Sequence, residues 1–180
     1  ATASATVTGL TNGTAYVFQV SAVNAAGTGV ASASSASVTP STVPGAPVSV
    51  GGSPADSGQV KVSWTAPADN GGSAITAYTV TATPGGATCQ TTDSTSCTVG
   101  GLVNGTGYTF SVVATNAAGN SEAATSSSVT PRTVPGAPTG LVGLVGDGEV
   151  LLGWTAPADD GGDTVVDYVV EYSTGDGTGW

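Results

Sequence analysis

Two cysteines and a few aspartates are the side chains here with the most chemistry to offer. The sequence has no His, so neither a Ser-His-Asp nor a Cys-His arrangement can be built from it. Cys89 and Cys97 are separated by Gln-Thr-Thr-Asp-Ser-Thr-Ser, a run of turn formers that lets the two ends meet. Two thiols without His are too few donors for a zinc site. A local disulfide is the best reading, and it implies an oxidising compartment. Closing so short a loop restricts the unfolded chain by about 2–3 kcal/mol in the entropic account. The alternative is a pair of unpaired thiols.

The acidic run Asp159-Asp160-Gly161-Gly162-Asp163 gathers hard oxygen donors around a glycine turn, the kind of setting Ca²⁺ uses. Asp159, Asp160 and Asp163 are therefore a weak calcium candidate. Six or more ligands are needed, and the matching stretch upstream has only Asp69-Asn70 followed by Gly-Gly-Ser. An ordinary turn explains both runs. The same carboxylates make poor glycosidase groups, which need a pair about 5–10 Å apart with one kept protonated by burial. No catalytic residue and no cofactor is expected. Asn12-Gly13-Thr14 and Asn104-Gly105-Thr106 fit the N-glycosylation acceptor pattern, but both fall where a turn is needed anyway.

The elements that position these residues follow from composition. Hydrophobic residues make up 39% of the chain, enough to build a core despite only 8% charged residues. Val, Thr and Tyr favour pleated strands, and 28 Gly with 10 Pro supply turns, so the fold class is all-β. The net charge is −10 and the only cations are Lys61 and Arg132. Two isolated cations cannot displace counterions from a nucleic-acid backbone or dock on anionic lipid. The apolar run around Val165 to Val170 is broken by Asp167 and falls far short of the roughly 18–20 residues a membrane helix needs.

An internal repeat sets the architecture. Val43-Pro44-Gly45-Ala46-Pro47 recurs from Val134 to Pro138, and Trp64-Thr65-Ala66-Pro67-Ala68-Asp69 recurs from Trp154 to Asp159. Leu10, Asn12-Gly13-Thr14 and Tyr16 match Leu102, Asn104-Gly105-Thr106 and Tyr108, and Asn24-Ala25-Ala26-Gly27 matches Asn116-Ala117-Ala118-Gly119. The spacing, close to 90 residues, suits one small β-sandwich per repeat. Within the middle copy Val60, Val62 and Trp64 alternate with polar residues, as do Tyr78, Val80 and Ala82, and Tyr108, Phe110, Val112 and Ala114. A period of two with one apolar face predicts antiparallel strands packed face to face. Tyr16, Phe18, Val20 and Ala22 form a similar stripe in the first copy, and Val150, Leu152, Trp154, Tyr168, Val170 and Tyr172 in the third.

A Trp on an early strand, a Tyr on the third, Leu102 six residues before Tyr108, and Val-x-Ala-x-Asn-x-x-Gly from Val112 to Gly119 together resemble the fibronectin type III pattern. The resemblance implies tandem immunoglobulin-like β-sandwiches, seven-stranded when whole, with a tyrosine corner at Tyr108 whose hydroxyl bonds back to nearby backbone. It divides the chain into the C-terminal half of a module over 1–40, a complete module over 41–132 and the N-terminal half of a third over 133–180. The chain is then expected to be an internal piece of a longer protein. Expected core residues are Trp64, Tyr78, Leu102, Tyr108, Phe110, Trp154 and Tyr168. Short Pro-rich joints, 40–47 and 131–138, are expected to be stiff.

These expectations point to a non-catalytic extracellular spacer or stalk, secreted or on the cell surface and bacterial. A second reading is an accessory region of a secreted polysaccharide-degrading hydrolase. A third is an adhesion or protein-binding module. Arg-Gly-Asp is absent, and the loop 117–122 that matches the family's integrin loop has no cation. The partners expected are adjacent modules of the same chain, with any carbohydrate or protein ligand left open, and with neither nucleic acid nor membrane insertion.

Overall fold

Alternating apolar and Thr/Ser residues become strands wherever a second sheet can cover the apolar face, and the middle copy shows this. The computed structural model describes residues 3–175. Trp180, whose facing the sequence leaves open, lies outside the described residues, as does Ala1. The strands are β1 (Val23–Asn24), β2 (Gly27–Thr28), β3 (Val48–Pro54), β4 (Val60–Thr65), β5 (Ala77–Thr83) and β6 (Thr88–Thr91). They continue as β7 (Ser96–Val99), β8 (Thr109–Asn116), β9 (Gly119–Asn120), β10 (Ala124–Thr125), β11 (Thr139–Val145) and β12 (Val150–Thr155). Every element among the described residues is a strand.

Two antiparallel sheets form the sandwich. One has the order β3-β4-β7, the other β10-β8-β5-β6, with β9 also on β8. Val60, Val62 and Trp64 of β4 turn inward while Lys61, Ser63 and Thr65 face solvent. Tyr78, Val80 and Ala82 of β5, and Phe110, Val112 and Ala114 of β8, meet them from the other sheet. Val99, Leu102 and Tyr108 close the core. Full burial of one such side chain is worth about 1.5–3 kcal/mol. The Trp64 and Tyr78 rings sit 5.3 Å apart in a tilted pair. The Trp64 indole N–H meets no protein acceptor.

The disulfide Cys89–Cys97 spans 6.3 Å between Cα atoms and ties β6 of one sheet to β7 of the other. It therefore staples the two layers at their rim. The last strand of the sandwich is broken into β9, β10 and a bridge from Tyr108 to Val129. At the gaps the hydroxyls of Ser121 and Ser126 accept the Ala114 and Phe110 amides at 3.0 Å each. A short, interrupted edge strand presents little free ladder to other chains.

The flanking copies have fewer strands. Residues 16–22 form no strand but pair with the segment 29–38, through a Tyr16–Val38 bridge and the amides of Gly29, Ser32 and Ser35. β11 and β12 make a hairpin with the same bulge as β3 and β4. Residues 168–172, expected as a strand by alternation, form none. Trp154 and Tyr168, expected in a core, are only half-buried, though their rings still meet edge-on at 5.2 Å. The reason is that, among the described residues, no second sheet faces this hairpin, so its apolar stripe stays open.

Candidate functional site: the loops at the joints

Two loop types meet where one copy hands over to the next. The first is the turn after the Trp strand. Asp69 Oδ1 accepts the Gly71 amide at 2.8 Å and Asn70 Oδ1 accepts the Gly72 amide at 2.9 Å. Asp159 and Asp160 do the same for Gly161 and Gly162, at 2.9 and 2.8 Å. Such side-chain-to-backbone bonds are why Asx residues favour turns. Gly71 and Gly72 have φ of 71° and 81°, and Gly161 and Gly162 have 75° and 85°, a region that glycine enters without penalty.

The second loop is the tyrosine corner. The Tyr108 hydroxyl accepts the Val103 amide at 3.0 Å, and the Tyr16 hydroxyl accepts the Thr11 amide at 3.0 Å. That donated bond from Thr11 pulls the Tyr16 phenol below its ordinary range, because an N–H favours the phenolate. Tyr78 moves the other way, raised by burial. Asn104 fastens its corner further: Oδ1 accepts the Gly58 amide at 2.8 Å and Nδ2 donates to Ser57 Oγ at 2.9 Å.

The linker joins the two loops by backbone bonds. Gly13 donates to the Pro40 carbonyl at 2.9 Å, Thr42 to Gly71 at 2.8 Å, and Gly45 to Asp69 at 2.9 Å. At the second joint Gly105 donates to Pro131 at 3.0 Å, Thr133 to Gly161 at 2.8 Å, and Gly136 to Asp159 at 2.8 Å. Buried Asn116 locks the first joint: its Nδ2 donates to the carbonyls of Thr42 and Asn70, both at 2.8 Å, and its Oδ1 accepts the amides of Ala118 and Gly119.

The three acids of the calcium candidate are not aimed at a common point. Asp159 and Asp160 are turned onto their own loop, and Asp163 pairs with Arg132 at 2.8 Å on the surface. An exposed pair of this kind contributes little, about 0–1 kcal/mol. Among the described residues no cluster of three His, Cys, Asp or Glu is placed to hold a metal. Trp64, Tyr78, Leu102, Tyr108 and Phe110 lie in the core, and Cys89 and Cys97 sit half-buried at its edge. Residues that sequence reasoning did not single out are Asn116 as a joint clamp and Ser121 and Ser126 as ladder substitutes. The recurrence of Asn116 as Asn24 was the available signal for the first.

A sandwich of this topology with a tyrosine corner has many relatives. The model of the fibronectin type III domain matches residues 45–130. This part of the chain belongs to the fibronectin type III family. The chain is 38% identical to Chitinase A1 of Niallia circulans over 127 residues, covering 67% of this chain and 18% of that protein. It is 38% identical to Exoglucanase B of Cellulomonas fimi over 187 aligned residues, covering 94% of this chain and 17% of that protein. The chain thus spans less than a fifth of the length of these relatives. Among solved structures, domains from titin align with 50% of this chain and 32% of theirs, at 33% identity and a TM-score of 0.45. In the fibronectin type III domain the Trp64–Tyr78 pair lies in the core and the Tyr108 hydroxyl closes the corner on Val103.

Proposed function

We propose that this chain is a non-catalytic spacer within an extracellular, polysaccharide-degrading bacterial enzyme, and that it consists of modules over 1–40, 41–132 and 133–180. The observation that carries the reading is the repetition of the joint: the same three backbone bonds recur at Pro40–Gly45 and at Pro131–Gly136 with the same partners. A spacer works by holding distance, and a joint built twice in one way does that. The likeness to Chitinase A1 and Exoglucanase B supplies the enzyme context. Cys89–Cys97 suits the oxidising exterior.

The test is a comparison of affinity and reach. Purified 180-residue chain is mixed with insoluble chitin and cellulose, and the unbound fraction is measured. A spacer stays in solution. In the parent enzyme, replacing these residues with a Gly/Ser linker of equal length is expected to spare hydrolysis of soluble oligosaccharide and lower that of insoluble polymer. Retention of the isolated chain on either polymer would instead make it a carbohydrate-binding region.

A further inference from the structure

The two joints hold a contact that the turn chemistry alone does not explain. Gly72 and Gly162 already serve their own turns through positive φ. Each also lies against the corner loop of the preceding copy: a Cβ on Gly72 would overlap the Gly13 amide nitrogen, and a Cβ on Gly162 would overlap that of Gly105. From the other side, a Cβ on Gly13 would stand 3.1 Å from Gly72 Cα, and one on Gly105 would stand 3.3 Å from Gly162 Cα. Gly71 and Gly161 are closed in the same way, against the linker carbonyls of Thr42 and Thr133, but positive φ does not by itself bring such a neighbour. Gly101 and Gly148, with φ of 72° and 69°, face open space, with nothing within 4 Å of where a Cβ would be.

We infer that the Asn-Gly of each tyrosine corner is a docking surface whose partner is the Gly-Gly turn of the next module, and that this backbone-to-backbone contact fixes the angle between modules. Neighbouring domains move relative to each other by default unless an interface stops them. Here the interface is small, and at the glycines it is backbone against backbone, with only the Cβ atoms of Asn12 and Asn104 beside it. The chain crosses it by a linker bonded on both sides, from Gly105 to Pro131 and from Thr133 to Gly161. Bare peptide against bare peptide tolerates one approach, because a shift of a few tenths of an ångström either clashes or opens a gap. The specificity follows: a successor module with Gly-Gly after its Asx pair docks at the same angle, and one with any side chain at the second glycine does not. The inference deepens the spacer reading and rests on it.

The experiment measures the angle directly. Nitroxide labels are placed on the outer faces of β4 and β12 through Lys61→Cys and Leu151→Cys in the full 180-residue chain, with Cys89–Cys97 kept oxidised. Double electron–electron resonance then reads the distance distribution between the modules. The unaltered joint is expected to give one narrow peak. Gly162→Ala is expected to replace it with a broad distribution, whereas Gly148→Ala, with the same backbone penalty and no neighbour, keeps it narrow. Near-ultraviolet circular dichroism of the Trp154–Tyr168 pair, compared with the unaltered chain, reports whether the hairpin survives. If Gly162→Ala unfolds it, Gly105→Leu decides, pressing on the joint from the middle module with Gly101→Leu as its control. A broad distribution in the unaltered chain, or a narrow one in the deciding joint variant, overturns the inference. A narrow distribution that ignores these substitutions leaves the spacer reading standing, while retention of the chain on polysaccharide removes that reading and leaves the angle measurement intact.

Discussion

Trp64 and Trp154 stand in the same six residues, Trp-Thr-Ala-Pro-Ala-Asp, on the same kind of strand, beside a Tyr at the same spacing. Trp64 is 5% exposed and sealed between two sheets, whereas Trp154 is only half-covered on a lone hairpin. The contrast is repeated in the stripe from Tyr108 to Ala114 and its counterpart from Tyr16 to Ala22. Phe110 and Val112 are fully buried, while Val20 is 74% exposed. Identical local sequence therefore determines which face of a strand is apolar, and a second sheet decides whether that face is dry. Turns and joints behave differently. The Asx turns and the tyrosine corner have the same partners in all copies that contain them, because each is closed by groups nearby in the chain, and the joint bonds, which link loops further apart, recur with them.

That contrast breaks most sharply at large buried side chains. Phe110→Ala is expected to destabilise residues 41–132 by about 3–5 kcal/mol, whereas Phe18→Ala leaves their denaturant midpoint unchanged. Urea unfolding tracked by Trp fluorescence measures both. Equal effects would mean that the flanking stripe is packed as tightly as the core.

The staple comes next. Reducing Cys89–Cys97 is expected to lower stability by about 2–3 kcal/mol, read as a fall in Tm of the same residues with and without reductant. An unchanged Tm would mean that the disulfide does not staple the layers.

Asn116→Ala removes four hydrogen bonds at a buried site, and is expected to cost about 1–3 kcal/mol. Asn24→Ala, whose side chain is exposed and holds only the Ala26 amide, is expected to cost far less. A double-mutant comparison by thermal melts sharpens the point.

The smallest effect is ionic. Burial raises the Tyr78 phenol, so the folded state favours its neutral form. That contribution is fully present below the unfolded value, about 10, and is lost as pH rises through the higher folded value. Tyr16 is shifted the opposite way by the Thr11 amide. Ultraviolet titration of the phenolates is expected to show Tyr16 ionising before Tyr78, and the reverse order would contradict the placement of both rings.

Much of this was legible in the residues themselves. Alternation marks β4, β5 and β8, and the Leu102-to-Tyr108 spacing marks the corner, because period and turn chemistry are local properties. The half-burial of Trp154 and the missing strand at 168–172 were not legible, since they depend on a distant sheet. The joint was half-visible: Gly-Gly after an Asx pair announces a turn, but nothing in the spelling says that Gly72 also abuts Gly13. Asn116 was recognisable as a repeated position, and its clamp on Thr42 joins residues 74 apart in the chain.

The most direct test of the claim that two facing sheets, and not local pattern, make the core is amide hydrogen exchange on the intact 180-residue chain. Slow exchange is expected for β4, β5 and β8, lost together in one cooperative step, with fast exchange for β12 and residues 16–22. Equal protection of β12 and β4 would contradict the claim.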